Sequence, residues 1–115
     1  MKVISSKNNE TYKFLVKVSK KSNVRKKNQK FIVEGLKEIN LCINSNYEID
    51  SFYTSNKNFY FKNIINNNCE KNFLLTKDLM EAVTYRSTSQ IIAIVKRKEF
   101  DISKVKFSEN ELLLI

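Results

Sequence analysis

The side chains best suited to chemistry in this sequence form a dense cationic cluster within residues 20–30, which contains six lysines and arginines. This segment cannot belong to a core, because desolvating so many charges costs far more than apolar contacts return. The pattern therefore predicts a basic loop that lies in water or against an anion. An apolar stretch, Phe31 to Val33, follows at once and is closed by Glu34 and Gly35, so the loop leads into a buried strand.

The net charge of +9 resides entirely in the first quarter of the chain. Residues 1–31 carry ten cationic side chains and one acidic side chain, whereas residues 32–115 carry eleven of each sign. A local patch of one sign attracts an anionic partner more strongly than the same charge spread evenly. Nucleotide bias in a genome explains an abundance of lysine and asparagine, but it does not explain their excess charge at one end.

Several classes of active site are excluded by residue types. The chain has no histidine, and Cys42 and Cys69 are isolated, so neither a zinc site nor a cytoplasmic disulfide is expected. No Gly-rich loop and no telling pair of carboxylates is present, and Glu34 beside Gly35 suits a helix N-terminus better than general acid catalysis. By itself, the 115-residue chain is not expected to be an enzyme.

Length and hydropathy limit the location and the number of domains. A chain of 115 residues suits one domain with a modest core. No apolar run approaches the roughly 18 residues of a membrane helix, and charged residues interrupt the first twenty positions, so no signal peptide is predicted. The cytoplasm is the expected location, without a membrane partner.

The elements that must position the cationic cluster alternate between helix and strand. Capping and apolar spacing predict a helix from about Asn9 to Lys21, with Tyr12, Leu15 and Val16 on its buried face. The remaining elements are a strand at 31–34, a helix from Gly35 or Leu36 to about Asn44, a strand at 49–54, a helix at 59–65, a strand at 73–76, a short helix at 77–82 capped by Thr76, and a strand at 91–95. This alternation predicts a compact α/β domain, a three-layer αβα sandwich with about four short strands.

Three segments resemble the N-terminal substrate-binding domain of the SpoU (TrmH) family of RNA ribose 2′-O-methyltransferases. They are Ile4-Ser5-Ser6-Lys7-Asn8-Asn9, the Phe-x-Val-Glu-Gly motif at 31–35 after a basic segment with Arg25, and Thr88-Ser89-Gln90-Ile91 followed by an aliphatic strand. Ser89 stands where the family usually has proline, and Ile91 stands where it has glycine. The resemblance covers roughly residues 3–98.

The resemblance implies a fold, a partner and a missing catalytic part. The domain would resemble the sandwich of ribosomal proteins that bind kinked RNA, and rRNA is the expected substrate. Residues 1–98 would form the RNA substrate-binding domain. Residues 99–115 would form a linker and the truncated first strand, Leu112–Ile115, of a catalytic SPOUT domain that binds S-adenosylmethionine and mediates homodimerisation. This chain itself is expected to hold no cofactor and no metal.

The expected RNA contacts combine lysines for phosphates with arginines for stacking or two-pronged hydrogen bonding. Tyr85 beside Arg86 is a candidate for stacking on an unpaired base, and a buried tyrosine is the competing interpretation. The candidate RNA-binding residues are Lys7, Asn8, Lys20, Lys21, Arg25, Lys26, Lys27, Lys30 and Arg86. The alternatives are a stand-alone ribosome- or kink-turn-associated structural protein and, more weakly, a protein that binds an anionic membrane surface.

Overall fold

The computed structural model describes residues 2–59, 64, 71–85 and 90–96. Its strands are β1 Lys2–Ile4, β2 Lys30–Glu34, β3 Glu48–Thr54, β4 Asn72–Leu75 and β5 Ile92–Lys96. Its helices are α1 Glu10–Lys20, α2 Ser22–Asn28, α3 Leu36–Asn44 and α4 Lys77–Glu81. Most of the helix predicted over 59–65, and all of the linker and strand predicted over 99–115, lie outside the described residues.

The strands form one mixed sheet in the order β1-β4-β3-β5-β2. β1 and β3 each pair with β4 in parallel, whereas β5 pairs antiparallel with both β3 and β2. β5 is therefore the one described strand that runs against the other four. Its continuous apolar sequence reflects its burial between two layers, since Ile92, Ala93, Ile94 and Val95 are all fully buried.

Helices cover both faces of the sheet, so the predicted αβα sandwich is confirmed. On one face, Ile92 and Ile94 of β5 pack with Tyr12 and Leu15 of α1 and with Met80 of α4. On the other face, Ala93 and Val95 pack with Ile39 of α3 and with Phe52 of β3. The alternation along β5 thus divides the core into two clusters, one for each helical layer.

The first helix forms where its sequence predicts it. The Asn9 side chain accepts hydrogen bonds from the backbone N–H groups of Thr11 and Tyr12, at 2.9 and 3.2 Å, and so caps α1. Leu15 and Val18 are fully buried, and the Tyr12 hydroxyl donates a 2.8 Å hydrogen bond to the Leu79 carbonyl. α1 is therefore fixed to the sheet and also to α4.

Gly35 makes the turn between β2 and α3. Its φ of 101° lies in a region that residues with a Cβ atom avoid, and its ψ is 147°. The backbone N–H of Gly35 donates to the Ile91 carbonyl at 2.9 Å, which ties the turn to the residue before β5. The glycine turn and the helix after it agree with the sequence-based prediction.

Two elements correct the sequence-based prediction. The basic segment is not a loop, since residues Ser22–Asn28 form helix α2, which ends at Gln29 with a left-handed φ of 54°. One strand, β1, was not predicted. It is the first strand of the chain and lies at the sheet edge beside β4. β1 depends on β4, which is distant in sequence, and α2 has no buried residue whose spacing would mark it, so local periodicity reveals neither element.

Candidate nucleic-acid interface

The exposed lysines of the basic segment lie on and beside α2. This helix contacts α1 and the edge strand β2, so it flanks one border of the sheet. Lys21, Lys26 and Lys27 are exposed, and Lys20 is exposed at the end of α1. We call these four lysines the α2 cationic surface. Within the described parts of the chain, none of their ammonium groups forms an ion pair.

Arg25 occupies a structural position. Its Nη1 donates to the carbonyl oxygens of Val18 and Ser19, at 2.8 and 3.2 Å. These carbonyls belong to the last turn of α1, where backbone acceptors lack partners within the helix and where the helix dipole favours a cation. The half-buried guanidinium therefore holds α2 against α1, and one of its nitrogens is already engaged.

Lys30 is likewise engaged by other residues of the chain. Its Nζ lies 3.5 Å from Oδ1 of Asp50, and the two side chains are only 23% and 15% exposed. The same ammonium lies 5.2 Å from the ring centroid of Phe14, within the range of a cation–π interaction. Of the predicted contacts, Lys30 thus has the charge least available to a phosphate.

Tyr85 lies near the α2 cationic surface and is 92% exposed, so the interpretation as a buried tyrosine is wrong. A small pocket of about 110 Å³ is lined by Ser19 and Lys20 of α1 and by residues 82–85 after α4. The backbone N–H of Tyr85 donates a 3.2 Å hydrogen bond to Oε2 of Glu34. The carboxylate of the Phe-x-Val-Glu-Gly motif therefore anchors the segment that carries the exposed ring.

The remaining predicted contacts are placed differently. Lys7 and Asn8 are exposed between β1 and α1. β1 and β2 form opposite edges of the sheet, four strand spacings or about 19 Å apart. The strands therefore do not bring Lys7 and Asn8 together with the α2 cationic surface, and Arg86 lies outside the described residues.

The amino-acid sequence identifies the family to which the chain belongs. Residues 9–93 match the family described as the MRM3-like substrate binding domain. The chain belongs to this family. The match begins at the Asn9 cap of α1 and ends within β5, so it covers both helical layers of the domain. No curated protein shows significant sequence similarity to the chain.

Solved structures with the same fold are RNA-modifying enzymes. A crystal structure of an RNA 2′-O ribose methyltransferase has a TM-score of 0.74 and 16% identity, covering 92% of this chain and 42% of that one. The SpoU methyltransferase AviRb from Streptomyces viridochromogenes, in complex with AdoMet, has a TM-score of 0.72 and 13% identity, covering 89% and 40%. An rRNA methyltransferase from Sinorhizobium meliloti has a TM-score of 0.69 and 15% identity, covering 90% and 40%.

The resemblance to the SpoU substrate-binding domain is thereby confirmed for this domain. The TM-scores of 0.69–0.74 show a shared fold, and the sequence match over residues 9–93 shows the family. The chain spans about two fifths of the length of these structural relatives, with 40–42% of each covered.

A second cleft, of about 440 Å³, lies between α1 and the sheet and was missed by sequence reasoning. Charged residues distant in sequence line it: Lys2, Lys30 and Lys71 against Glu10 and Asp50. Phe14, Tyr53 and Phe73 supply its apolar walls, and the rings of Tyr53 and Phe73 stack with centroids 5.3 Å apart. No sequence motif links these residues, because only the sheet register brings β2, β3 and β4 to this cleft.

The described residues give little support to a reactive cysteine, a metal site or a membrane-spanning helix. Cys42 is half-buried on α3, and burial raises the pKa of its thiol, which disfavours the nucleophilic thiolate. Across the residues that the structure describes, no group of three or more histidine, cysteine or acidic side chains could hold a metal ion. In the same part of the chain, no helix has the length and hydropathy needed to cross a bilayer.

Proposed function

We propose that this chain is the RNA recognition domain of an S-adenosylmethionine-dependent RNA ribose 2′-O-methyltransferase, with rRNA as the substrate. One observation of the structure carries the proposal. The four lysines of the α2 cationic surface are exposed, without an ion pair among the described residues, and one of them, Lys20, lines a pocket with the exposed Tyr85. Membership of a substrate-binding family and the names of the structural relatives support the choice of RNA.

The α2 cationic surface suits the phosphate backbone of RNA. Exposed lysines lose little hydration on meeting a phosphate, and each contact releases counterions that had condensed on the RNA. Aromatic rings then add affinity for bases that are not paired. The combination of ammonium groups with one exposed tyrosine favours RNA with a single-stranded loop or bulge over a regular duplex.

The methyl-transfer chemistry is proposed to lie outside this domain. Residues 1–98 form the RNA-binding unit, and residues 99–115 are proposed to connect it to a catalytic SPOUT domain that dimerises. The charged cleft does not fit S-adenosylmethionine, because three lysines against two carboxylates would repel the sulfonium cation of that cofactor. We therefore assign the cofactor to the catalytic part of the enzyme. The cytoplasm remains the location that we propose for the whole protein.

A salt series on RNA binding tests the proposal. The chain is titrated with a fluorescent rRNA hairpin that has a single-stranded loop, at several concentrations of KCl. Binding should weaken steeply with salt. The triple variant Lys21→Gln, Lys26→Gln, Lys27→Gln should bind less tightly, and its slope of log affinity against log salt should shrink by about 2–3.

The matched control changes the same amount of charge elsewhere. Lys2, Lys57 and Lys77 are exposed and lie on or next to β1, β3 and β4, away from α2. Their triple replacement by Gln should leave most of the affinity and the salt slope in place. If the two variants lost equal affinity for RNA, only the net charge would matter. If the wild type did not bind RNA, the proposal would be overturned. Anionic vesicles, used as a third arm, should not compete with the RNA.

A further inference from the structure

We infer that Tyr85 is the platform on which one unpaired base of the RNA stacks, with Glu34 as the residue that positions it. The inference rests on the proposed function and names a specific subsite within it. The subsite is the pocket of about 110 Å³ beside the Tyr85 ring. Drug-sized ligands need several hundred Å³, so this pocket is too small for one, and a single base is a better match in size.

The exposure of Tyr85 sets it apart from the other tyrosines that the structure describes. Tyr12 and Tyr53 are 3% and 2% exposed and belong to the core, whereas Tyr85 is 92% exposed. Tyr47 is half-buried and packs edge-on against Phe31, with ring centroids 5.8 Å apart. An aromatic ring with both faces in water stabilises no core, and it is the arrangement that a stacking base requires.

The backbone that carries this ring is held in place. Oε2 of Glu34 accepts the N–H of Tyr85 at 3.2 Å, across 51 positions of sequence. Two residues earlier, Val83 is 6% exposed, and its N–H donates to the Met80 carbonyl at 3.2 Å. The ring is thus exposed on an ordered support. A binding group that is already in place loses less conformational entropy when its ligand binds.

Charge completes the subsite. Lys20 lines the same pocket and is exposed, so it is available to a phosphate that adjoins the stacked base. Because every base has a π face, stacking at this position should tolerate any base. Tyr85 should therefore contribute affinity for unpaired RNA, and the lysines should contribute the salt dependence.

The test uses variants of Tyr85 in the salt series described above. Tyr85→Leu removes the ring but keeps an apolar side chain, and Tyr85→Phe keeps the ring. Tyr85→Leu should weaken binding to the looped hairpin roughly 5- to 150-fold without changing the salt slope. Tyr85→Phe should bind within about 3-fold of the wild type. A fully paired duplex should not discriminate between the variants.

Photocrosslinking gives a readout that a purely structural role would not move. An RNA hairpin with 5-iodouridine in every loop position is bound and irradiated, and the crosslinked peptides are identified by mass spectrometry. The peptide containing Tyr85 should crosslink in the wild type and in Tyr85→Phe, but not in Tyr85→Leu. Glu34→Ala should reduce this crosslink, whereas Glu34→Gln, which retains an oxygen acceptor, should restore it.

The outcomes separate this inference from the proposed function. If the wild type binds no RNA, the proposed function fails and the subsite fails with it. If the wild type binds with the expected salt slope but Tyr85→Leu binds equally well, only the subsite is overturned. Urea unfolding of each variant confirms that the folded state persists.

Discussion

Arg25 joins the first two helices, since its Nη1 donates a 2.8 Å hydrogen bond to the carbonyl oxygen of Val18. A guanidinium that serves as the cap of a neighbouring helix has a structural role before it meets any RNA. The sequence places Arg25 among the RNA contacts, and the structure gives it a second, testable role.

Replacing Arg25 by Gln should lower the free energy of unfolding by about 1–3 kcal/mol, because hydrogen bonds to a charged donor are lost at the end of α1. Urea denaturation monitored by circular dichroism measures this change. Lys26→Gln, at the next position and exposed, should change stability by no more than about 0.5 kcal/mol. If Arg25→Gln unfolds like the wild type but binds RNA poorly, the guanidinium acts on RNA alone.

The ion pair between Lys30 and Asp50 should behave as a coupled unit. Asp50→Asn leaves a mostly buried ammonium without its carboxylate and should destabilise the fold by about 1–3 kcal/mol. Lys30→Met should cost a similar amount, because it removes the ammonium from a carboxylate that is only 15% exposed, although its apolar chain can still pack on Phe14. A double-mutant cycle measured by urea denaturation should give a coupling energy above about 0.5 kcal/mol. Strict additivity would show that the contact is energetically neutral.

The raised pKa of Tyr12 predicts that the folded domain loses stability in alkaline solution. Burial raises the pKa of its phenol above the usual value of 10.0, so the folded state retains a proton that the unfolded state releases. The stabilisation that Tyr12 gives to the folded state is therefore complete below pH 10.0. It is lost as the pH rises from there through the higher pKa of the folded state.

Tyr12→Phe isolates this effect from the titration of other groups. At pH 7 it should cost about 0.5–1.5 kcal/mol, because the hydrogen bond to the Leu79 carbonyl is lost. Between pH 9 and 11 the difference between wild type and variant should shrink, as followed by urea unfolding at each pH. A difference that stays constant over this range would contradict the raised pKa.

Gly35 should tolerate no side chain. With φ at 101° and ψ at 147°, a Cβ atom would clash with the backbone, so Gly35→Ala should cost about 1–3 kcal/mol. Thermal unfolding followed by circular dichroism measures the loss. Asn44→Ala, at the exposed last residue of α3, is the control and should change stability by about 0.5 kcal/mol or less. Equal stability of Gly35→Ala and the wild type would exclude the positive φ.

Local sequence patterns predict the elements that bury their own apolar face. The spacing of Tyr12, Leu15 and Val16 predicts α1, and the uninterrupted run from Ile91 to Val95 predicts a strand covered on both sides. α2 has no buried residue at all, so no apolar period marks it, and the tether from Arg25 to α1 is invisible in sequence. β1 is three residues long and, among the described strands, pairs with β4 alone.

The sequence predicts the charge of the candidate interface, but it does not predict which of the cations remain available. The excess of lysine in the first quarter of the chain indicates the surface, because solvated cations must lie outside the core. Which cations stay available is a tertiary property, since Asp50 of β3 neutralises Lys30 and the α1 carbonyls engage Arg25. The anchoring of Tyr85 by Glu34 likewise depends on β2 and the segment after α4 meeting in space.

The strand order has a consequence for how the chain matures on the ribosome. The two strands made first, β1 and β2, are the outer strands of the described sheet, and the described strands that pair with them, β4 and β5, are made last among the five. Phe31 pairs with Val95, so at ordinary translation rates β2 waits about 3–13 s for its neighbour. During that interval the apolar Phe31, Ile32 and Val33 are unprotected. Like-charge repulsion between the lysines just before them should disfavour pairing with other nascent copies, so the charge proposed to bind RNA would have a second use before the sheet is complete.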